Sequence, residues 1–385
     1  MQNQCRDSFY TTFPTYPSML DYHEVQARNS QWKHTQVRNL EVEPLDAKSP
    51  YFGNTAAFAG GISEEAVKDT AENLGLAIRI DGELYPVRST AYKSLLDRAK
   101  IGGTALPKLD RGVLAQTLNA CLKLFGSDAL TLIRDEKVAA VHSGDAVDYS
   151  VLPIDALLRA LQSNLDARFP ENEFEQGYSD HFISSATWKL PKQKEDLLGA
   201  YAKLLASQGK TKIADKLMPG IRFITSDTGV ASAKVSALLL GFQCPIHIGG
   251  CISVDHRHGS TIADFEKALD QLFAQFGDNI AQLQNLLDIH LAYPVNAMTR
   301  VCKKLCMPKK AAVEAIQMFE MSYGGGSATA HDVFMAMQEI MFTMRTEKTS
   351  ESKMISLEEN MARALTLPSQ AWSSSLYFCA MLSVP

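Results

Sequence analysis

Two hairpin patterns set among helical patterns constrain the fold of this chain most. The segment LAIRIDGELYPVR alternates apolar and polar residues around Asp81-Gly82, a turn dipeptide that tolerates positive φ. The segment ALTLIRDEKVAAVHS repeats the pattern around Asp135-Glu136. Apolar residues at intervals of three and four predict helices between the two hairpins and after the second. Interleaved hairpins and helices favour an α+β fold, with an antiparallel sheet and flanking helices, over a doubly wound parallel sheet.

The second half of the chain predicts helices packed on one another. From Thr261 to Arg345 every segment spaces its apolar residues for a helix, and Pro294 and Pro308 stand at first-turn positions. We therefore expect a C-terminal helical bundle after the sheet. The predicted organisation is an N-terminal arm over 1–50, an α+β domain over 51–260, the helical bundle over 261–345, and a linker, short helix and tail over 346–385.

Composition excludes several classes of protein. A formal net charge of −5 argues against a wholly basic protein that coats nucleic acid, although it leaves room for a local basic groove. No apolar run reaches the roughly 18 residues of a membrane-spanning helix, and the first residues lack the pattern of a secretory signal. Seven scattered cysteines indicate reduced thiols rather than a disulfide framework. We expect a cytoplasmic protein with no membrane partner.

Residues 221–260 concentrate the residue types that carry chemistry. They contain Asp227-Thr228-Gly229, the tripeptide with which aspartic proteases present two carboxylates that share one proton. Only one copy is present, and Asp-Thr-Gly is also a good turn, because Asp bonds its own backbone and Gly accepts positive φ. The sequence therefore does not favour a protease. Phosphate-binding glycine loops and the common hydrolase motifs are absent as well.

Histidines in the same stretch open the possibility of a metal site. Alternation along IHIGGCISVDHRHGS predicts that His256 and His258 share one face of a strand, with Asp255 on the other face. Together with Asp227 they could bind a divalent ion that generates hydroxide for a nuclease or hydrolase. The same histidines could equally be an exposed strand end. We expect no cofactor, with a divalent metal as the alternative.

Two clusters of basic residues point to an anionic partner: the first begins with Lys189, Lys192 and Lys194, and the second contains Arg300, Lys303, Lys304, Lys309 and Lys310. Such clusters can follow a phosphate backbone by charge alone, and aromatic side chains can stack on bases, although a solvated helix face explains either cluster alone equally well. The predicted phosphate contacts are Lys189, Lys192, Lys194, Arg222, Arg257, Lys303 and Lys304, and the predicted stacking platforms are Trp188 and Tyr178.

Several segments resemble a known family. They are ISEEAVKDTAENLGLAIRIDGELYPV, residues 149–160, and the stretch from FITSDTGV to the helix ADFEKAL, which together resemble the phage/plasmid-like protein family containing domain of unknown function 932. The matching positions are Asp227, Gly229, Cys244 and His256 or His258. The Asn that follows the cysteine in that family is missing here, where Pro245 and Ile246 stand. The resemblance covers most of residues 50–340 and implies a mobile-element context, without implying a mechanism.

Three functions from different classes follow from these observations. The leading hypothesis is a non-enzymatic nucleic-acid-binding protein, such as a single-strand DNA binder or annealer that forms homo-oligomers in replication or recombination. The alternative is the metal-dependent nuclease or hydrolase. The third is a host-directed factor that binds another protein through exposed methionines of the final bundle helices, although packing in the core explains these residues better; they are Met335, Met337, Met341 and Met344.

Overall fold

A computed structural model of the chain describes residues 4–50, 52–55, 58, 61–144, 149–242, 244–323 and 326–372. The strands are β1 (Tyr10–Phe13), β2 (Gln31–Gln36), β3 (Glu41–Pro44), β4 (Leu76–Ile80), β5 (Glu83–Pro86), β6 (Asp128–Arg134), β7 (Lys137–Ser143), β8 (Glu173–Asp180), β9 (Ser184–Lys189), β10 (Met218–Thr225), β11 (Ala233–Leu240), β12 (Ile246–Val254), β13 (His290–Leu291) and β14 (Ala328–Thr329). The helices are α1 (Tyr16–Asn29), α2 (Glu64–Glu72), α3 (Ala91–Ala99), α4 (Arg111–Leu122), α5 (Ile154–Arg168), α6 (Lys194–Ser207), α7 (Thr211–Lys216), α8 (Ile262–Asn285), α9 (Pro294–Lys304), α10 (Lys309–Tyr323), α11 (Ala330–Thr346), α12 (Glu351–Ala362) and α13 (Ser369–Trp372).

The largest sheet is six-stranded and antiparallel throughout, in the order β1-β8-β9-β10-β11-β12. Its central strands alternate side chains between two covered faces, so β10 and β11 are buried along nearly their whole length. The long helix α8 begins at a capping box, in which Thr261 and Asp264 bond each other's backbone N–H, and it packs against β11 and β12. This sheet is the scaffold on which the C-terminal helices lie.

A smaller unit is built from two three-stranded antiparallel sheets, β2-β6-β7 and β3-β4-β5. A single parallel bridge between Val87 and Val138 connects them. Helices α3 and α4 pack against β7 and β3 and close a separate apolar core. The two predicted hairpins are confirmed, with Asp81-Gly82 and Asp135-Glu136 at left-handed turn positions. The predicted α+β fold with antiparallel sheets is also confirmed.

The prediction of an N-terminal arm is wrong. Strand β1 forms one edge of the six-stranded sheet, with Tyr10 opposite Asp180 and Phe13 opposite Gly177. Strands β2 and β3 are edge strands of the two small sheets. These segments are only four to six residues long, and their partners lie far away in the sequence. No short turn joins these strands to their partners, so the hairpin signal that reveals the equally short β4 and β5 is absent here.

The predicted C-terminal helices are present, but they share one apolar core with the six-stranded sheet. Phe223 of β10 meets Phe265 of α8 edge to face, with ring centroids 5.9 Å apart. Helix α12 begins at Glu351, inside the segment predicted as a linker, and packs on β12. The tail after Trp372 lies outside the described residues. In the part of the chain described, no helix combines the length and apolar character needed to cross a membrane.

Candidate functional site

A polar cavity lies where the small unit meets the six-stranded sheet. Thr15 caps α1, and the helix then turns one polar stripe inward at positions 22, 23 and 26. The cavity is lined by Tyr22, His23 and Gln26 of α1, Arg134 and Asp135 at the β6–β7 turn, Asp180 and His181 at the β8–β9 turn, and Ser226 and Asp227 after β10. It holds about 10 Å³ of water-accessible space, enough for about one water molecule.

The centre of this site is an ion pair between Arg134 and Asp227. The backbone around Asp227 is fixed as well, because its carbonyl accepts hydrogen bonds from His142 Nε2 and from the Tyr149 hydroxyl, both at 2.9 Å. Burial alone would raise the pKa of the Asp227 carboxyl, but the adjacent Arg134 guanidinium lowers it below its usual value. Asp227 is therefore held as a carboxylate.

A second carboxyl group on the same cavity is shifted in the opposite direction. Burial raises the pKa of Asp135, and Arg88, with Nη2 at 3.9 Å from Asp135 Oδ2, offsets this only in part. Two carboxyl groups whose pKa values are pushed apart are the arrangement that supports acid and base roles. The cavity, however, has room for about one water and not for a substrate. The site in this form can hold and polarise a water molecule, and nothing larger.

Two buried polar atoms on the wall of the cavity lack a partner. His23 Nε2 and Gln26 Oε1 are shielded from solvent and have no hydrogen-bond partner among the described residues. Burial, with a further contribution from Arg134, lowers the pKa of His23 to about 3, so its ring is neutral. A single water that bonds both atoms would satisfy them.

Behind the cavity, a network of buried charges fixes the N-terminal segment. Lys137 is fully buried and pairs with Asp69 and, at 3.2 Å, with Asp7. Asp7 also accepts a hydrogen bond from the Ser89 amide at 2.8 Å. Arg88 is 1% exposed and donates to the Arg6 carbonyl at 3.3 Å. These contacts tie residues near the N-terminus to α2 and β7, which is a structural role.

The aromatic stack beside the cavity contains His256. The rings of His142 and Tyr149 are parallel with centroids 3.6 Å apart, and Tyr149 stacks on His256 at 5.6 Å. Trp32 of β2 borders both His142 and Tyr149 at 6.0 Å. His256 is 6% exposed, and its Nδ1 donates to the Ser150 carbonyl at 3.2 Å. Its burial lowers its pKa, so it is packed as a neutral ring.

The predicted metal-binding set is not brought together. Strand β12 ends at Val254, so the alternation that placed His256 and His258 on one face does not continue to them. His256 points inward, whereas His258 is exposed in a left-handed conformation at φ 57°. Asp255 accepts a hydrogen bond from the Ser232 hydroxyl at 2.5 Å, and Asp227 is engaged by Arg134. Among the described residues, no three His, Cys, Asp or Glu side chains are grouped to hold a metal ion.

The first predicted basic cluster is largely neutralised. Lys189 pairs with Glu175, Lys192 pairs with Glu171 at 3.2 Å, and Lys194 donates to the Asp215 carbonyl at 3.3 Å. Each lysine is therefore held by an oxygen of the protein itself. Such surface pairs contribute little to stability, but they reduce the positive charge that this surface offers to a phosphate.

Two of the predicted nucleic-acid contacts are buried, which corrects their assignment. Arg222 of β10 forms an ion pair with Glu358 of α12, with both side chains at most 3% exposed. Trp188 is fully buried, and its Nε1 donates to Gln162 Oε1 at 2.9 Å. Tyr178 is half-buried and donates its hydroxyl to an Asp180 oxygen at 2.7 Å. Arg222 cannot reach a phosphate and Trp188 cannot stack on a base in this structure.

The second basic cluster remains on the surface. Arg300, Lys303 and Lys304 lie on one exposed face of α9, and the opposite face is buried. Lys309 and Lys310 follow at the start of α10 and are exposed, and Lys310 pairs with Glu347 at 2.6 Å. We call these five residues the α9–α10 basic surface. Within the described chain, no carboxylate oxygen lies within 4.0 Å of the Lys304 or Lys309 ammonium group. Arg257 is also exposed, in the loop before α8.

Sequence reasoning missed most of the polar cavity. His23, Arg134, Asp135 and His181 come from three distant segments and form no spaced motif. The one local signal is that His23 and Gln26 stand three residues apart on α1 and share one helix face. No family model, curated protein or solved structure matched this chain. The resemblance to the family containing domain of unknown function 932 therefore stays a prediction.

Proposed function

We propose that this protein binds single-stranded nucleic acid through the α9–α10 basic surface. The supporting observation is the contrast between the two lysine clusters. Lys189 and Lys192 are paired with carboxylates, whereas Lys304 and Lys309 are exposed with no carboxylate of the described residues in reach. A phosphate backbone is a ligand that gains from exposed cations such as Lys304 and Lys309, because binding releases its condensed counterions.

Helix stability explains only part of this surface. Lys303 and Lys304 lie in the last turn of α9, where cations interact favourably with the helix dipole. Lys309 and Lys310 lie in the first turn of α10, where a cation costs about 0.3–1 kcal/mol, and no acidic residue accompanies them there. The free backbone N–H groups of that first turn add to the attraction for an anion. Glu347 already offsets this cost for Lys310, so an anionic partner would account for the position of Lys309.

We expect the binding to be independent of base sequence. The predicted stacking platform Trp188 is inside the protein, and Tyr178 is half-buried with its hydroxyl engaged. Contacts to phosphates position a strand but carry no sequence information. Oligonucleotides of the same length made of thymine or of adenine should therefore bind with similar affinity.

Fluorescence anisotropy with labelled 30-nucleotide DNA at low salt tests the proposal. The triple variant Lys303→Ala/Lys304→Ala/Lys309→Ala should bind at least about tenfold more weakly than the unmodified protein, because three phosphate contacts are lost.

The matched control removes three lysines from the neutralised cluster, as Lys189→Ala/Lys192→Ala/Lys194→Ala. It should bind within about twofold of the unmodified protein, because those side chains already have protein partners. Equal losses in both variants, or no DNA binding by any of the proteins, would contradict the proposal.

The biological setting is part of the same proposal. A phage or plasmid origin, and with it a prokaryotic host, rests on the family resemblance, and a cytoplasmic location rests on the scattered cysteines. The described cysteines are free thiols, of which Cys251 and Cys306 are exposed. The metal-dependent nuclease is not proposed, because the side chains of its four residues are not grouped around one site. These residues are Asp227, Asp255, His256 and His258.

A further inference from the structure

An open groove lies between the end of β11 and helix α11. One side is formed by Lys216 of α7 and by Phe242 in the loop after β11. The other side is formed by α11, with Met335, Glu339 and Phe342 along it. The groove contains about 540 Å³ of water-accessible space, which is in the range of sites that hold a ligand or a partner's side chain.

The α11 side of the groove is a partly exposed helix face. Met335, Glu339 and Phe342 are spaced by four and three residues, so they form one stripe. Met337 and Met341, on the other side of the helix, are buried in the core. The hypothesis of exposed methionines on this helix is thus wrong for those two residues, whereas Met335 and Met344 are half-buried.

Exposed apolar residues are concentrated on the same helix pair. Twelve large apolar side chains are exposed in the described chain, and four of them lie on α10 and α11. They are Met318 at 51%, Met321 at 79%, Tyr323 at 37% and Phe342 at 37% exposure. Of these four, Phe342 lines the groove, and exposed apolar side chains of this kind are typical of protein–protein contacts.

The charges of the groove restrict what can occupy it. Lys216 is exposed and Glu339 is half-buried, and both line the groove. In the described part of the chain neither has an oppositely charged atom within 4.0 Å, and they are not paired with each other. An occupant must therefore bring one acidic and one basic group on either side of apolar surface. A singly charged amphiphile would leave one of the two unmatched.

We propose that the groove is the contact for a second copy of this chain, related by a two-fold axis. In such an interface each surface meets itself, so a residue that contacts another residue is contacted by it in return. Lys216 of each copy then faces Glu339 of the other copy, and Phe342 of each copy enters the other's groove. Lys216 and Glu339 of the second copy therefore supply the basic and the acidic group that the groove requires. This inference is independent of nucleic-acid binding.

Charge reversal measured without DNA tests the interface. Light scattering on a sizing column, or analytical ultracentrifugation, should show a dimer whose population rises with protein concentration. Lys216→Glu and Glu339→Lys each place like charges opposite one another twice, so each should raise the dimer Kd by about tenfold or more. The double variant Lys216→Glu/Glu339→Lys restores opposite charges and should return the dimer Kd to near its original value.

A control variant with a charge reversed outside the groove is measured in the same dimerisation assay. Lys353→Glu reverses an exposed charge on α12 outside the groove lining and should leave the dimer unchanged. Circular dichroism would show that every variant is folded. A monomer at all concentrations, a dimer indifferent to both single reversals, or a double variant as weak as the singles would overturn the proposal.

Discussion

Replacing His23 by glutamine is expected to flatten the pH dependence of the free energy of unfolding between pH 6.5 and pH 4. His23 is 5% exposed, and burial, followed by the charge of Arg134, lowers its pKa to about 3. In the unfolded chain a histidine has a pKa of about 6.5. Below that pH the His23 ring binds a proton in the unfolded state but stays neutral in the folded state. The stability supplied by neutral His23 is therefore complete above about pH 6.5 and is lost as the pH falls toward 3.

The size of the effect follows from the distance between the two pKa values. At pH 5 protonation of His23 in the unfolded chain lowers the free energy of unfolding by about 2 kcal/mol, because each pH unit below 6.5 contributes about 1.4 kcal/mol. The pKa values of His181 and His247 are also lowered to about 3, and those of His142 and His331 to about 4, each chiefly by burial. Together the five histidines cost on the order of 10 kcal/mol at pH 5, which matches the whole stability of a typical protein. We expect acid unfolding near pH 5.

Urea unfolding followed by circular dichroism at a series of pH values measures this slope. The His23→Gln variant should lose about 1.4 kcal/mol per pH unit of slope between pH 6 and pH 4.5, whatever its stability at neutral pH. His258→Gln is the matched control, because His258 is exposed and its replacement should leave the slope unchanged. An unaltered slope in His23→Gln would refute the reasoning, since it would mean that the folded protein protonates His23 normally.

Three further substitutions test the buried charges and one tight turn. Arg222→Ala should cost about 3–5 kcal/mol in urea unfolding, because it leaves the buried Glu358 with only the more distant Arg345, at 3.9 Å, among the described cations, and a smaller loss would show that Arg345 compensates. Lys137→Ala should cost up to a similar amount, since it removes the cation paired with Asp69 and leaves Asp7 with Arg88 at 3.8 Å, and unchanged thermal unfolding would contradict this. Gly241→Ala should cost about 3 kcal/mol or more, because φ is 96° and the new Cβ would lie 1.8 Å from the Lys216 carbonyl oxygen. A variant as stable as the unmodified protein would mean that this turn can move.

The parts of the fold that were predicted correctly depend on local sequence. Asp81-Gly82 and Asp135-Glu136 specify their hairpins because a turn dipeptide and two alternating strands lie within about fifteen residues. The helices after Thr261 are equally local, since their apolar period is read within one segment. Strand β1 could not be predicted in this way, because its four residues are defined by pairing with β8.

The candidate site was less accessible to prediction, for the same reason. His256 is buried because Tyr149 stacks on it, and the chain between them gives no sign of that contact. Lys304 and Lys189 look alike in sequence, and only the position of Glu175 distinguishes them. The polar cavity joins α1 to turns far along the chain, so its residue types were visible but their proximity was not.

The salt dependence of single-stranded DNA binding tests the central claim most directly. If the α9–α10 basic surface contacts about four phosphates, the logarithm of the binding constant should fall with the logarithm of salt concentration with a slope of about −3. The variant Lys303→Ala/Lys304→Ala/Lys309→Ala should bring this slope to about −1, and Lys189→Ala/Lys192→Ala/Lys194→Ala should leave it near −3. A slope near zero for the unmodified protein, or an equal change in both variants, would contradict binding through this surface.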